Sequence, residues 1–204
     1  MRKIHQAIPV FVCLTILGLV SCRPVEQTQA STAVTQQNQI TNKLFPVKSN
    51  GKYGYIDQTG KVVITAQFDE AFDFSEGMAK VKIGGKFGYI DNTGKTVVSP
   101  QFEDADDFSE GLAGIMTDGK MGFIDNTGQM IISPQFDDAE NFSEGMAEVK
   151  VGDKWGYVNK VGEIVVSPQF EDSHNFLQGL AAVQIGSKWG YIDKTGNFVW
   201  NPTE

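Results

Sequence analysis

From Leu44 onward the chain restates itself every 34 residues, with no insertion or deletion. A glycine preceded by a large apolar residue falls at Gly54, Gly88, Gly122, Gly156 and Gly190. Turn glycines at Gly60, Gly94, Gly128, Gly162 and Gly196 keep the same step, as do Phe68, Phe102, Phe136 and Phe170. Five units begin at Leu44, Met78, Leu112, Met146 and Leu180, and the fifth ends at Trp200. Fixed-period self-similarity of this kind means a stacked array, in which each unit buries its apolar faces against its neighbours.

The pattern inside a unit is β. In Met78-Ala79-Lys80-Val81-Lys82-Ile83 and Leu180-Ala181-Ala182-Val183-Gln184-Ile185, every second residue is small or β-branched, which is the period of a half-buried strand. A short glycine-bearing turn leads to a second strand of the type aromatic-Gly-Tyr-Ile-Asp. Asp91-Asn92-Thr93-Gly94 and its copies follow. Asp opens such a turn by accepting backbone amides, and Gly in the left-handed region closes it. The third strand, Lys61-Val62-Val63-Ile64 in the first unit, is largely apolar and expected to be covered on both faces. The expected fold is all-β: five tandem three-stranded antiparallel meanders, joined by loops of the type Ser99 to Gly111.

Lys154-Trp155-Gly156-Tyr157 and Lys188-Trp189-Gly190-Tyr191 resemble the WG-repeat, or KWG-repeat, family of bacterial proteins. The likeness covers Leu44 to Trp200. Tyr53, Phe87 and Met121 take the Trp slot in the first three units, so an apolar filler satisfies it. The resemblance implies tandem β structure and no common activity. A period of 34 residues is short for a four-stranded propeller blade. An open twisted array is therefore expected, with a closed propeller-like ring as the alternative.

The first forty residues are of another kind. Arg2 and Lys3 precede a mostly apolar run, Ala7 to Leu19, which is too short to span a membrane and fits the core of a secretory signal. It ends in Leu19-Val20-Ser21-Cys22, which resembles the lipobox of bacterial lipoproteins. That resemblance implies removal of residues 1–21, a lipid such as palmitate on Cys22, and anchorage in the cell envelope. Residues 22–43 are rich in Gln, Thr, Ser and Asn and read as a disordered tether, leaving 44–204 as the repeat domain. Arg23, where Asp would signal retention at the inner membrane, favours the outer one by analogy.

Charge and residue types narrow the function. Removing Arg2 and Lys3 from the 17 basic residues leaves 15 against 25 acids, a net of −10, which argues against nucleic acid as a partner. Without the leader the chain has one cysteine, Cys22, and one histidine, His174. No nucleophile elbow accompanies His174, and one His without a free Cys does not make a zinc site. No catalytic, cofactor or metal residues are assigned. Acidic loop residues (Asp69-Glu70-Asp73; Glu103-Asp104-Asp106-Asp107; Asp137-Asp138-Glu140; Glu171-Asp172) could offer oxygens to calcium, but lack EF-hand spacing. The repeated aromatics read first as packing slots and second as a platform for sugar rings. The expected function is a lipid-anchored, non-catalytic module that binds an envelope protein or acts as a scaffold; the alternative is glycan or peptidoglycan binding. Specificity is expected where the copies disagree, at Gly114-Ile115-Met116-Thr117 and Ser173-His174-Asn175.

Overall fold

In the computed structural model, which describes residues 43–202, every regular element is a strand. The leader, Cys22 and the tether up to residue 42 lie outside the described residues, as do the last two positions. The strands form five separate antiparallel sheets in chain order. The first holds β1 (Phe45–Ser49), β2 (Lys52–Ile56) and β3 (Val62–Phe68). The second holds β4 (Glu70–Ser75), β5 (Met78–Ile83), β6 (Lys86–Asp91) and β7 (Thr96–Phe102). The third holds β8 (Asp104–Ala105), β9 (Leu112–Thr117), β10 (Lys120–Asp125) and β11 (Met130–Phe136). The fourth holds β12 (Asp138–Ala139), β13 (Met146–Val151), β14 (Lys154–Asn159) and β15 (Ile164–Phe170). The fifth holds β16 (Asp172–Ser173), β17 (Leu180–Ile185), β18 (Lys188–Asp193) and β19 (Phe198–Trp200). No sheet closes on itself, and the array is open.

The segment expected to be a loop between units does more than connect. Its start, Ser99 to Phe102, extends β7, and its middle supplies the short strand β8, so four of the five sheets gain a fourth strand. Proline interrupts the pattern that would have marked the extension. The structure accommodates Pro100, Pro134 and Pro168 at a bulge opposite the WG glycine, where the register jumps, as between Met121↔Phe136 and Phe123↔Ile132. That is the glycine's function. A Cβ on Gly122 would lie 2.5 Å from the Ile132 carbonyl oxygen and 2.6 Å from the Pro134 nitrogen.

The Asp-x-Thr-Gly turn forms as expected. Asp91 Oδ1 accepts the Thr93 hydroxyl at 2.6 Å and the amides of Thr93 and Lys95 at 2.9 and 3.1 Å. The Thr93 hydroxyl, with those amides, holds the Asp91 carboxyl below its usual range. Gly94 closes the turn at φ 85°, and Asp57, Asp125 and Asp193 repeat the arrangement.

Each core straddles a junction. Tyr55, Ile64 and Phe68 of the first sheet pack with Ala79, Val81 and Ile90 of the second. One edge-to-face aromatic pair recurs at every junction: Tyr55–Phe74 at 5.0 Å, Tyr89–Phe108 at 4.8 Å, Phe123–Phe142 at 4.9 Å and Tyr157–Phe176 at 4.8 Å. Two polar ladders run beside these pairs. Ser75, Ser109 and Ser143 donate to the Phe108, Phe142 and Phe176 carbonyls. Glu76, in the left-handed region at φ 51°, accepts the amides of Glu110 and Gly111, both at 2.8 Å; Glu110 accepts from Gly145, and Glu144 from Gln178 and Gly179. The strain of a non-glycine residue at positive φ is thus offset by a bidentate clamp on the next unit.

Candidate functional site

The repeated side chains are used in stacking, so recognition falls to positions where the copies differ. Two slots stand out. One, in the connecting segment, holds Phe72, Asp106, Glu140 and His174. The other, on the first long strand of the unit, holds Lys80, Gly114, Glu148 and Ala182. The backbone brings the two together: the amides of Asp106, Glu140 and His174 donate to the carbonyls of Gly114, Glu148 and Ala182 at 2.9–3.0 Å. Where the preceding sheet carries a tyrosine, it fixes this segment; before Glu140 that slot holds Phe123. Tyr55, Tyr89 and Tyr157 donate to the carbonyls of Phe72, Asp106 and His174 at 2.6–2.8 Å. A main-chain anchor leaves the side chain at the slot free to vary, and it does.

Between the second and third sheets the row is mixed in charge. Lys80 Nζ lies 4.5 Å from the centre of the Phe72 ring and donates to the Ala105 carbonyl at 2.6 Å. Asp106 occupies space that Gly114 leaves open, for a Cβ there would lie 2.5 Å from Asp106 Oδ2. Burial pushes the Asp106 carboxyl up to about 6; Lys80 pulls it down, and Asp104 and Glu140 push it further up.

Between the fourth and fifth sheets the same row is acidic. Glu148 is only 3% exposed, and Ser173 donates its hydroxyl to Glu148 Oε2 at 2.6 Å. With its nitrogen turned toward them, the Asn175 amide donates to Glu148 Oε1 at 3.3 Å and the Asn141 carbonyl at 3.2 Å. Burial raises the Glu148 carboxyl, against the Ser173 hydroxyl. Asn141 Oδ1 is buried without a hydrogen-bond partner. His174 is exposed and stacks on Trp189, ring centres 5.0 Å apart and planes 9° from parallel.

The sequence expectations land unevenly on this row. Of the irregular stretches Gly114-Ile115-Met116-Thr117 and Ser173-His174-Asn175, Gly114 and His174 lie in it with Ser173 and Asn175 beside His174, whereas Ile115 is core and Met116 and Thr117 are half-buried. Asp106 and Glu140 belong to the acidic loop clusters noted in the sequence; Glu148 was not singled out. Five of the other loop acids pair with lysines: Asp69 with Lys52, Glu70 with Lys82, Glu103 with Lys86, Asp137 with Lys120 and Glu171 with Lys154. No group of three His, Cys, Asp or Glu side chains suited to a metal occurs among the described residues. The aromatic slots need one correction. Tyr55, Tyr89, Phe123 and Tyr157 are buried, but Tyr191, read as a packing residue like them, is 48% exposed, on the last sheet of the described residues. Trp189 is likewise exposed at the rim.

The WG-containing repeat matches residues 53–87, 87–120, 121–155, 155–189 and 189–202, and the chain belongs to that family. No curated protein matches the chain. Among solved structures it is similar to KlHsv2 with loop 6CD replaced by a Gly-Ser linker, at 13% identity and a TM-score of 0.49, over 76% of this chain and 61% of that one. It is also similar to the WD40 β-propeller domain of Doa1, at 12% identity and a TM-score of 0.40, over 78% of this chain and 64% of that one. A plant lectin from Cicer arietinum matches at 12% identity and a TM-score of 0.28, over 68% of this chain and 93% of that one. The chain thus spans about three fifths of the first two of these proteins.

Proposed function

We propose that this chain is a lipid-anchored, non-catalytic binding module of the bacterial envelope, held by lipid on Cys22, and that it recognises a protein partner through the variable row. One observation carries this reading. The side chains that change from unit to unit are gathered along one line, on a main chain that the repeat's tyrosines pin at Phe72, Asp106 and His174. Lys80, Asp106, Glu140 and His174 differ in charge and size while the sheets beneath them do not. A protein surface with its own charge pattern suits such a row better than a small substrate does, because no unit carries a complete set of reacting groups.

The anchor is tested by mass: Cys22 should carry diacylglycerol and an acyl chain, and Cys22→Ser should leave the membrane fraction. An unmodified Cys22 overturns it. The row is tested by capture from envelope extracts with the full chain. A partner enriched by the native protein and lost by Glu140→Lys and His174→Ala supports the assignment; capture indifferent to both variants sinks it.

Exposed Trp189 and Tyr191 support a second reading, glycan binding at the fifth sheet. Tryptophan emission that shifts on adding peptidoglycan fragments favours it. Emission unchanged at millimolar fragment removes it.

A further inference from the structure

Every internal junction is built from two unlike faces, and the array exposes one of each. The forward face of a sheet offers a tyrosine and, opposite it on the last strand, an aliphatic knob: Tyr55 with Ile64, Tyr89 with Val98, Phe123 with Ile132, and Tyr157 with Val166. The receiving face of the next sheet offers a small row, such as Ala79, Val81 and Ile90, and a turn glycine as socket. The knob fills the socket. Ile64, Val98, Ile132 and Val166 carbons lie 3.0–3.2 Å from where a Cβ would stand on Gly94, Gly128, Gly162 and Gly196.

At the ends both halves remain on the surface. Gly60 has the same turn and the same φ of 83–85°, but nothing lies within 4 Å of its Cβ position. Val47 and Ile56 are half-buried and Phe45 is 38% exposed, in the slots where Ala79, Val81 and Ile90 are buried. On the fifth sheet, Tyr191 pairs across strands with Trp200 in the slot of Val166, and Trp200 is 58% exposed.

We propose that these ends are the two halves of one more junction, and that a second copy of this chain docks its first sheet against the fifth sheet of another, head to tail. The polar register agrees. Inside the array Lys160 pairs with Glu110 at 3.1 Å and Lys194 with Glu144 at 3.2 Å, each reaching back across a junction. Continuing the repeat by one step sets Gln58 of the second copy opposite Gln178 of the first. The ion pair becomes an amide pair, and no charge is left without a partner. Leu177 stands where Ser75, Ser109 and Ser143 make the serine ladder, so this junction lacks that rung. Few apolar side chains reach the surface at each end, Phe45, Val47 and Ile56 on one and Tyr191 and Trp200 on the other, so the contact is small. The contact is therefore reversible and concentration-dependent. A heterologous contact of this kind grows into chains or closes into rings.

The test is sedimentation velocity of the full chain in detergent, with Phe45→Glu and Tyr191→Glu. Both side chains are already exposed, so near-ultraviolet circular dichroism should match the native spectrum. The native protein should associate as concentration rises, and each variant alone should weaken that association roughly tenfold or more. Mixed, the variants should form one-to-one dimers, since one keeps its forward face and the other its receiving face. A native protein monomeric at every concentration overturns the proposal, and means that something other than a second copy covers the ends. Association abolished by Tyr191→Glu but untouched by Phe45→Glu also overturns it, in favour of a symmetric tail-to-tail contact.

Discussion

Gly122 and Gly114 lie in the same sheet, on neighbouring strands, and do opposite things. Gly122 belongs to the repeat: it admits the backbone of a bulged strand, and all five units have it. Gly114 belongs to the variable row: it admits one carboxylate, Asp106, and its counterparts are Lys80, Glu148 and Ala182. The period governs what the main chain needs for stacking. It leaves free what only a side chain fills.

Substituting both glycines breaks this comparison most directly. Gly122→Ala drives a Cβ into two backbone atoms that belong to a paired strand, and neither can move without unzipping β11. A loss of about 4 kcal/mol or more is expected, with the chain largely unfolded at 37 °C. Gly114→Ala meets the end of a side chain that can swing away, and should cost about 1 kcal/mol. Urea titrations of the two variants decide the matter; equal midpoints would end the distinction.

Next in size is Asp106→Asn. The carboxyl sits near 6 in the folded protein against 3.8 unfolded, so the folded state holds its proton more tightly. A group raised in this way stabilises the fold fully below its unfolded value and loses that contribution as pH climbs through about 6. The turn aspartates are shifted the other way, so their contribution is present above the usual carboxylate value and fades as pH falls. Native stability should therefore peak between these limits. Asp106→Asn should remove the decline on the neutral side and gain about 2–3 kcal/mol at pH 7. Thermal melts from pH 3 to 8 measure it; an unchanged slope between pH 4 and 6 would show that Asp106 stays ionised.

How much of this was readable in advance depended on range. The Asp-Thr-Gly turn and the WG glycine are local signals, and both do in space what their spacing implies. The bulge was hidden because Pro100 argues against a strand, and only Gly88, opposite it on the neighbouring strand β6, makes it acceptable. Glu148 was hidden because strict alternation sends it to the solvent side of β13. What covers it is Ser173, 25 residues on and in the next sheet, a contact beyond the reach of any strand-length window. Asp106 and Glu140 were visible as acids but not as members of a row, since period alone does not say which columns face each other. Tyr191 misled because its column is buried four times out of five.

The smallest expected effect concerns the four Lys–acid bridges that recur 17 residues apart, Lys52–Asp69, Lys86–Glu103, Lys120–Asp137 and Lys154–Glu171. They repeat as faithfully as the aromatic pairs, which makes them look equally structural. Their position says otherwise. Both partners are substantially exposed, water screens the attraction, and ordering two long side chains costs entropy. Lys154→Ala should therefore change stability by well under about 1 kcal/mol, and 1 M salt should erase even that. Phe142→Ala, in the same array and equally periodic, should cost about 3–5 kcal/mol. Chemical denaturation of both variants at low and high salt tests the contrast. Should Lys154→Ala approach Phe142→Ala in cost, periodicity itself, rather than burial, would be the measure of what holds the units together.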